Sequence, residues 1–322
     1  MAATGAPPHG GEVRGSGGGG LPMGRGPAVA LAQALVDHLS RTAGVRALAI
    51  KGPVLAAQGL RDRRTSSDAD VLVEPASVPV VREALLRCGW QVRYEREMPY
   101  LLERHSITLL HPGWPVDIDL HWYFPGLHAG PEEAFEHLWG HRSEIELAGR
   151  QVSCLDLVGN AVIAALHCER HPTAEGRRRE LAGLVARVAA QPEDVRIQVR
   201  DLAVATRSAT VLAEFLAGIG VPVDGDDLTP AEERRWRRYT QTHELGSTGA
   251  WLAGLGTGSW GDRVRTAVRA LWPSAAELSR IHPHLAPLGR RDRMRLRAAR
   301  WRRGAAALGP TLQRFAHKED RS

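Results

Sequence analysis

Two short segments constrain this chain more than any other feature. Residues 68–73 read Asp-Ala-Asp-Val-Leu-Val, and residues 116–121 read Val-Asp-Ile-Asp-Leu-His. Each alternates polar with apolar residues, the pattern of a β-strand with one face buried. In the first segment Asp68 and Asp70 share a face, with Ala69 and Val71 opposite. In the second, Asp117, Asp119 and His121 share a face, with Val116, Ile118 and Leu120 opposite. If the two strands are neighbours, three or four carboxylates converge. Like charges at that range repel, and such a cluster is tolerated mainly when a cation sits within it. Paired hard oxygen donors suit Mg²⁺ or Mn²⁺, held by a few carboxylates and the phosphates of a substrate. Two such ions would bridge a triphosphate and align an incoming hydroxyl for in-line attack.

The flanking sequence builds an α/β unit around these strands. From Pro27 an apolar period (Val29, Leu31, Leu35, Val36, Leu39) predicts a helix ending before Gly44. Val45 to Ile50 reads as a short buried strand. Lys51-Gly52-Pro53 breaks it, and Pro53 suits the first turn of a helix running to about Leu60. Ser77 to Cys88 predicts a helix capped by Ser77 and ended by Gly89. Trp90 to Arg96, Leu101 to Leu110 and Pro115 to Trp122 predict three more strands. The order is α-β-α-β-α-β-β-β, a compact unit ending near residue 125.

After this the pattern changes. Glu132 to Trp139 predicts a helix, and two β-like pieces flank Ala148-Gly149. Ser153 and Asp156 resemble a capping box opening a helix to about Glu169. Helices are expected over 175–190, 193–219, 230–242 and 291–306, with a Gly/Ser/Thr-rich loop over 244–260. The expected division is a flexible Gly-rich tail over 1–26, a core over 27–150 and a helical domain over 151–322 with a basic C-terminal segment. The glycines near residue 18 lack the GxxxxGK[ST] pattern and a preceding strand, so a linker reading replaces a phosphate loop.

Composition narrows the setting. Lys and Arg number 42 against 36 Asp and Glu, a net charge of +6 that permits an anionic partner without requiring one. Cys88, Cys154 and Cys168 have unrelated spacings, so neither a disulfide framework nor a CxxC metal site is expected. The longest apolar runs, such as Val158 to Leu166, are too short to span a bilayer, and no secretion signal is evident. A cytoplasmic protein without membrane association is expected.

Lys51-Gly52, Asp68-Ala-Asp70 and Asp119-Leu-His-Trp122 together resemble the nucleotidyltransferase superfamily of the DNA-polymerase-β type. More narrowly, they are similar to an uncharacterised bacterial nucleotidyltransferase family with an LKG, DIDLLV and VDLHW pattern. Its genes occur among those for peptide natural products and surface polysaccharides. The resemblance covers about residues 30–220. It implies an α+β fold: a polymerase-β-like core of mixed sheet with flanking helices, followed by an all-helical domain. It also implies that Asp68 and Asp70 bind metal, and that Asp119 is the third carboxylate and activates the acceptor hydroxyl. Gly52 takes the nucleotide-loop position. The superfamily usually has Gly-Ser or Gly-Gly where Lys51-Gly52 stands, so Lys51 would bring its own positive charge to the triphosphate. Ala69 replaces the usual Ile on the core-facing side, a change of packing rather than chemistry.

Other residues carry paired readings. Asp117 is a fourth, outer carboxylate or a decoy, and His121 is a partner of Asp119 or a buried, hydrogen-bonded histidine. Arg61, Arg63 and Arg64 precede the metal strand and form either a phosphate contact, with Arg64 as the nucleotide-binding residue, or a solvated basic loop. His167 and His171 have helical zinc spacing but no third ligand, so a packed pair is the better reading. Basic runs around Trp236 and Trp301 look like an RNA-binding face, yet their arginines spread around several helix faces.

The expected reaction is metal-dependent transfer of a nucleoside monophosphate from an NTP to a hydroxyl on a small-molecule or peptide acceptor. Two rivals share these residues: a tRNA- or RNA-modifying, toxin-like transferase, and a catalytically silent fold used as a binding or scaffold protein. Intact, mutually repelling carboxylates argue against the silent fold.

Overall fold

The computed structural model describes residues 23–93, 105–225, 228–237, 239–240, 260–275, 278 and 288–319. Helix α1 (Arg25–Thr42) leads into β1 (Ala47–Ala49), α2 (Gly52–Ala57) and β2 (Asp68–Val73). A 3-10 turn (Pro75–Ser77) then precedes α3 (Val78–Arg87), β3 (Gln91–Val92), β4 (Ser106–Leu110) and β5 (Asp117–His121). Helix α4 (Pro131–Gly140) is followed by the hairpin β6 (Arg142–Leu147) and β7 (Arg150–Leu155). Among the described residues there follow the helices α5 (Leu157–Glu169), α6 (Glu175–Ala189), α7 (Glu193–Ala205), α8 (Ala213–Gly218), α9 over 230–237, α10 (Trp260–Leu271) and α11 (Arg290–Glu319).

The seven strands form one mixed sheet in the order β3-β4-β5-β2-β1-β7-β6. β2 pairs in parallel with β5, and β1 in parallel with β7; the other neighbours are antiparallel. Helices α1 and α3 cover one face, where Ala69, Val71, Ile118 and Leu120 pack against Val29, Val36, Val81 and Leu85. The opposite face carries Leu48, Ile50 and Leu72, packed under α5 and, through it, α6, α7 and α8. Helix α5 is buried nearly all round, which is why its sequence is apolar on every side rather than amphipathic. The strand alternation therefore puts Asp70, which shares the Leu72 side of β2, on the α5 side of the sheet.

This is the α+β architecture expected of the chain, with a mixed sheet, flanking helices and a helical C-terminal region. Several details differ. β7 runs across residue 150, and the sheet continues to Leu155. Ser153 lies in that strand rather than in a capping box. Its N–H bonds Asp37 Oδ1 at 3.0 Å, and the helix cap is Asp156, which accepts from Gly159 N at 2.8 Å. Ser77 does not cap α3; its hydroxyl donates to Glu74 across the 3-10 turn.

The helix expected over 193–219 is two helices. The break turns at Arg207, whose φ is 52°, and the Thr206 carbonyl there accepts from His128 and Ala129 at 3.1 Å. That tertiary contact has no signature in the apolar period. The expected strands over 90–96 and 101–110 appear as β3 and β4, while residues 94–104 lie outside the described residues. So do residues 1–22 of the expected tail and 241–259 of the expected loop. No helix among the described residues is long and apolar enough to cross a membrane.

The docking of α5 leaves one testable electrostatic cost. Burial, with Glu214 nearby, pushes the Glu169 carboxyl up to about 7 from an ordinary 4.5. The folded chain therefore holds a proton that the unfolded chain releases. Stability falls as pH rises between those two values. Glu169→Gln is expected to stabilise the protein by about 1 kcal/mol near pH 8, after screening by solvent, and to change nothing near pH 4. Thermal melts at both pH values check this.

Candidate active site

The parallel β2–β5 pair sets the site. Asp68 lies opposite Asp117, Asp70 opposite Asp119 and Leu72 opposite His121. In-register pairing of two strands with the same alternation puts all five polar side chains on the α5 side of the sheet. β4 adds Thr108 beside Asp119, and the Thr108 hydroxyl donates to the Asp119 carboxylate.

Asp70 is the buried centre, 5% exposed. Its Oδ1 receives Lys51 Nζ at 2.6 Å and His121 Nε2 at 2.9 Å. Burial alone would raise the Asp70 carboxyl. The Lys51 ammonium and the His121 hydrogen bond outweigh it and hold Asp70 well below the usual carboxylate range. Asp119 goes the other way. Burial raises its carboxyl, helped by Asp70 and Asp68 and opposed by the Thr108 hydrogen bond and by His121. Its Oδ1 is buried with no hydrogen-bond partner. Acceptor atoms of Asp70, Asp119 and His121 lie within 4.8 Å of one another, close enough to share one ion.

Lys51 reaches Asp70 through an unusual backbone. It caps α2 at φ 56° and ψ −147°, a region that residues with a side chain rarely adopt. Gly52 follows with φ 50°, where only glycine is unstrained. Two buried amides hold this turn. Gln33 of α1 donates from Nε2 to the carbonyls of Ile50 and Asp70, at 3.2 and 3.1 Å. Asn160 of α5 accepts from Lys51 N at 3.3 Å, and its own amide donates to Gln58 and Leu155. The Lys51 ammonium also lies 5.4 Å from the Phe124 ring centroid.

Beside this centre opens a cleft of about 610 Å³, within the range of small-molecule sites. Asp68 and Asp70 line it with Lys51, Gly52, Arg61, Arg64, His167, Arg177 and Glu180. Arg61 is spent on the loop itself, donating to the Gly52 carbonyl and to Ser66 Oγ. His167 is neutral there: burial, then Lys51 and Arg177, push its imidazole down to about 2.

The structure thus brings together Asp70, Asp119, His121 and Lys51, with Asp68 and Gly52 on the adjoining cleft wall. Asp68 lies nearer the edge of the site and accepts from Ser67 Oγ at 3.1 Å. Asp117 stands apart from the metal-capable group, ion-paired with Arg93. His121 partners Asp70, not Asp119, in hydrogen bonding. Arg64 lines the cleft mouth, paired with Glu180. His167 faces the cleft, and no metal group involving His171 forms among the described residues. Gln33, Asn160, Arg177 and Glu180 escaped the sequence reading. Gln33 and Asn160 had a signal: each is an amide at an otherwise buried apolar position of its helix.

The chain matches a family of uncharacterised nucleotidyltransferases over residues 28–216. No curated protein matches it significantly. Among solved structures it is similar to the antibiotic-resistance factor ANT(2'')-Ia, with a TM-score of 0.38 and 14% identity over 58% of this chain and 94% of that one. It is also similar to the lincosamide antibiotic adenylyltransferase LnuA in its lincomycin-bound form, with a TM-score of 0.32 and 18% identity over 48% and 94% of the two chains. An antigenic nucleotidyltransferase-like protein from Paracoccidioides brasiliensis gives a TM-score of 0.36 and 8% identity over 64% and 97%. The family match takes in more than half of the 322 residues, including both carboxylate strands and the whole cleft, and the chain belongs to this uncharacterised nucleotidyltransferase family.

Proposed function

We propose that this protein transfers a nucleoside monophosphate from a nucleoside triphosphate to a hydroxyl of a small-molecule or peptide acceptor. The observation that carries the reading is the buried Asp119 oxygen with no partner, close to the ionised Asp70. A buried carboxylate oxygen without a hydrogen bond is costly, and a divalent cation removes that cost. Asp70 and Asp119 would hold Mg²⁺ or Mn²⁺, with Asp68 at the edge and His121 orienting Asp70. Once bound, the metal neutralises triphosphate charge and acidifies a hydroxyl beside it.

The protein's own groups do the rest. The acceptor oxygen forms a bond to the α-phosphorus, the bond to the bridging oxygen breaks, and pyrophosphate leaves with the electron pair. Asp119 takes the hydroxyl proton. Its Oδ1 has no hydrogen-bond partner, whereas the Oδ1 of Asp70 already receives Lys51 and His121. Lys51 and the backbone of Gly52 face the phosphates from the turn. Among the described residues the arginines of α11 line no part of this cleft.

The test is binding of Mn²⁺, followed by electron paramagnetic resonance, with a nucleoside triphosphate present. Asp119→Asn is expected to weaken Mn²⁺ binding at least about tenfold. Equal binding by wild type and variant would remove the basis of the reading.

A further inference from the structure

We propose that Arg64 and Arg177, held by Glu180 across the cleft mouth, form a clamp for the β- and γ-phosphates of the donor. This rests on the nucleotidyl-transfer reading of the same cleft, and it assigns α6 a direct part in binding the donor. Glu180 spends one carboxylate oxygen on each guanidinium: Oε1 on Arg64 Nη2, and Oε2 on Arg177 Nη1 at 2.8 Å. Neither guanidinium makes another hydrogen bond among the described residues, and both arginines line the cleft. Two planar donor forks, each with most of its N–H groups unspent, are thereby fixed at one spot.

The spot is the right one for terminal phosphates. Asp68 and Asp70 define the reacting end of the cleft, and Lys51 and Gly52 form its adjoining wall. The arginine pair lies with Ala174, Gly176 and Glu180 on the α6 side. A triphosphate whose α-phosphate lies by the carboxylates extends its remaining charge away from them. The cleft lining meets that charge with Lys51, Arg61, Arg64 and Arg177, while His167 is held neutral. Arg61 is bonded to the loop, so the pair on Glu180 supplies the available guanidinium donors. Bidentate guanidinium–phosphate pairing gives such a clamp its geometric selectivity for a triphosphate over a monophosphate.

The test is calorimetric titration of the full chain with Mg²⁺ and pyrophosphate, nucleoside triphosphate or nucleoside monophosphate. Arg64→Ala lies on an exposed side chain and does not threaten the fold. Arg64→Ala and Arg177→Ala are each expected to weaken pyrophosphate and triphosphate binding about tenfold, and monophosphate binding less than about twofold. Glu180→Gln frees both guanidiniums and is expected to lower triphosphate affinity too, although it makes the cleft more positive. A simple charge effect would raise it. Unchanged or uniformly weakened binding of all three ligands would overturn the clamp while leaving Mn²⁺ binding, and with it the transferase reading, intact. A wild-type protein that binds neither metal nor pyrophosphate would overturn both.

Discussion

Asparagine in place of Asp70 is expected to lower the proposed nucleotidyl transfer by roughly a hundred- to a thousandfold, the range for losing one preorganised electrostatic group at a reacting centre. The substitution keeps the shape of the side chain and removes its charge. Asp70 is the carboxylate most firmly ionised here, because Lys51 and His121 both bond its Oδ1. Its loss therefore removes the fixed anion around which the other groups are placed. Asp117→Asn is the matched control. Asp117 lies one register step away on the same face, but it is ion-paired with Arg93 and outside the metal-capable group. Activity within a few-fold of wild type is expected for that variant. An equal loss in both would mean that the face as a whole, not the Asp70 centre, matters.

Lys51→Met is expected to cost about 3 kcal/mol of stability in metal-free buffer, because it strands a buried carboxylate. The Lys51–Asp70 pair is short and its side chains are only 11% and 6% exposed. Among the described residues, removing the cation leaves the Asp70 carboxylate with the His121 hydrogen bond. Added Mg²⁺ or Mn²⁺ replaces the missing charge, so the metal should raise the melting temperature more in the variant than in wild type. Lys51→Gly separates two contributions. It breaks the same ion pair but relieves the strained φ of 56° at this position, and should be about 1 kcal/mol less harmful than Lys51→Met. A Lys51→Met melt that ignores metal would contradict the pairing of this site with a cation.

Much of the chemistry was legible because it depends on alternation along single strands. Asp68, Asp70, Asp117, Asp119 and His121 share one face by period two alone, and the structure puts them there. Alternation could not give the parallel register that sets Asp70 against Asp119, since strand pairing is a tertiary choice. Nor could it show that His121 would bond Asp70, which follows from that register and from packing against Phe124. The 3.6-residue period gave α1 and the capping pattern gave α5, but neither singled out Gln33 or Asn160. Their value lies in holding the Lys51 turn, 17 and 109 residues away in sequence respectively from Ile50 and Lys51. Arg177 was hidden among neighbouring arginines on α6, and only the approach of that helix to the Arg64 loop distinguishes it. The break between α7 and α8 was invisible because Thr206 is held by the backbone of residues 128–129, not by local sequence.

In the proposed reaction the phosphoryl group next to the nucleoside is the one that moves. The direct measurement is label transfer with nucleoside triphosphates carrying a phosphorus label at either the α or the γ position, offered with Mg²⁺ and a pool of hydroxyl-bearing small molecules and peptides. The expected result is α-label in the acceptor and γ-label in pyrophosphate, both lost in Asp70→Asn. Label passing to the acceptor from the γ position, or equal transfer by wild type and Asp70→Asn, would contradict it.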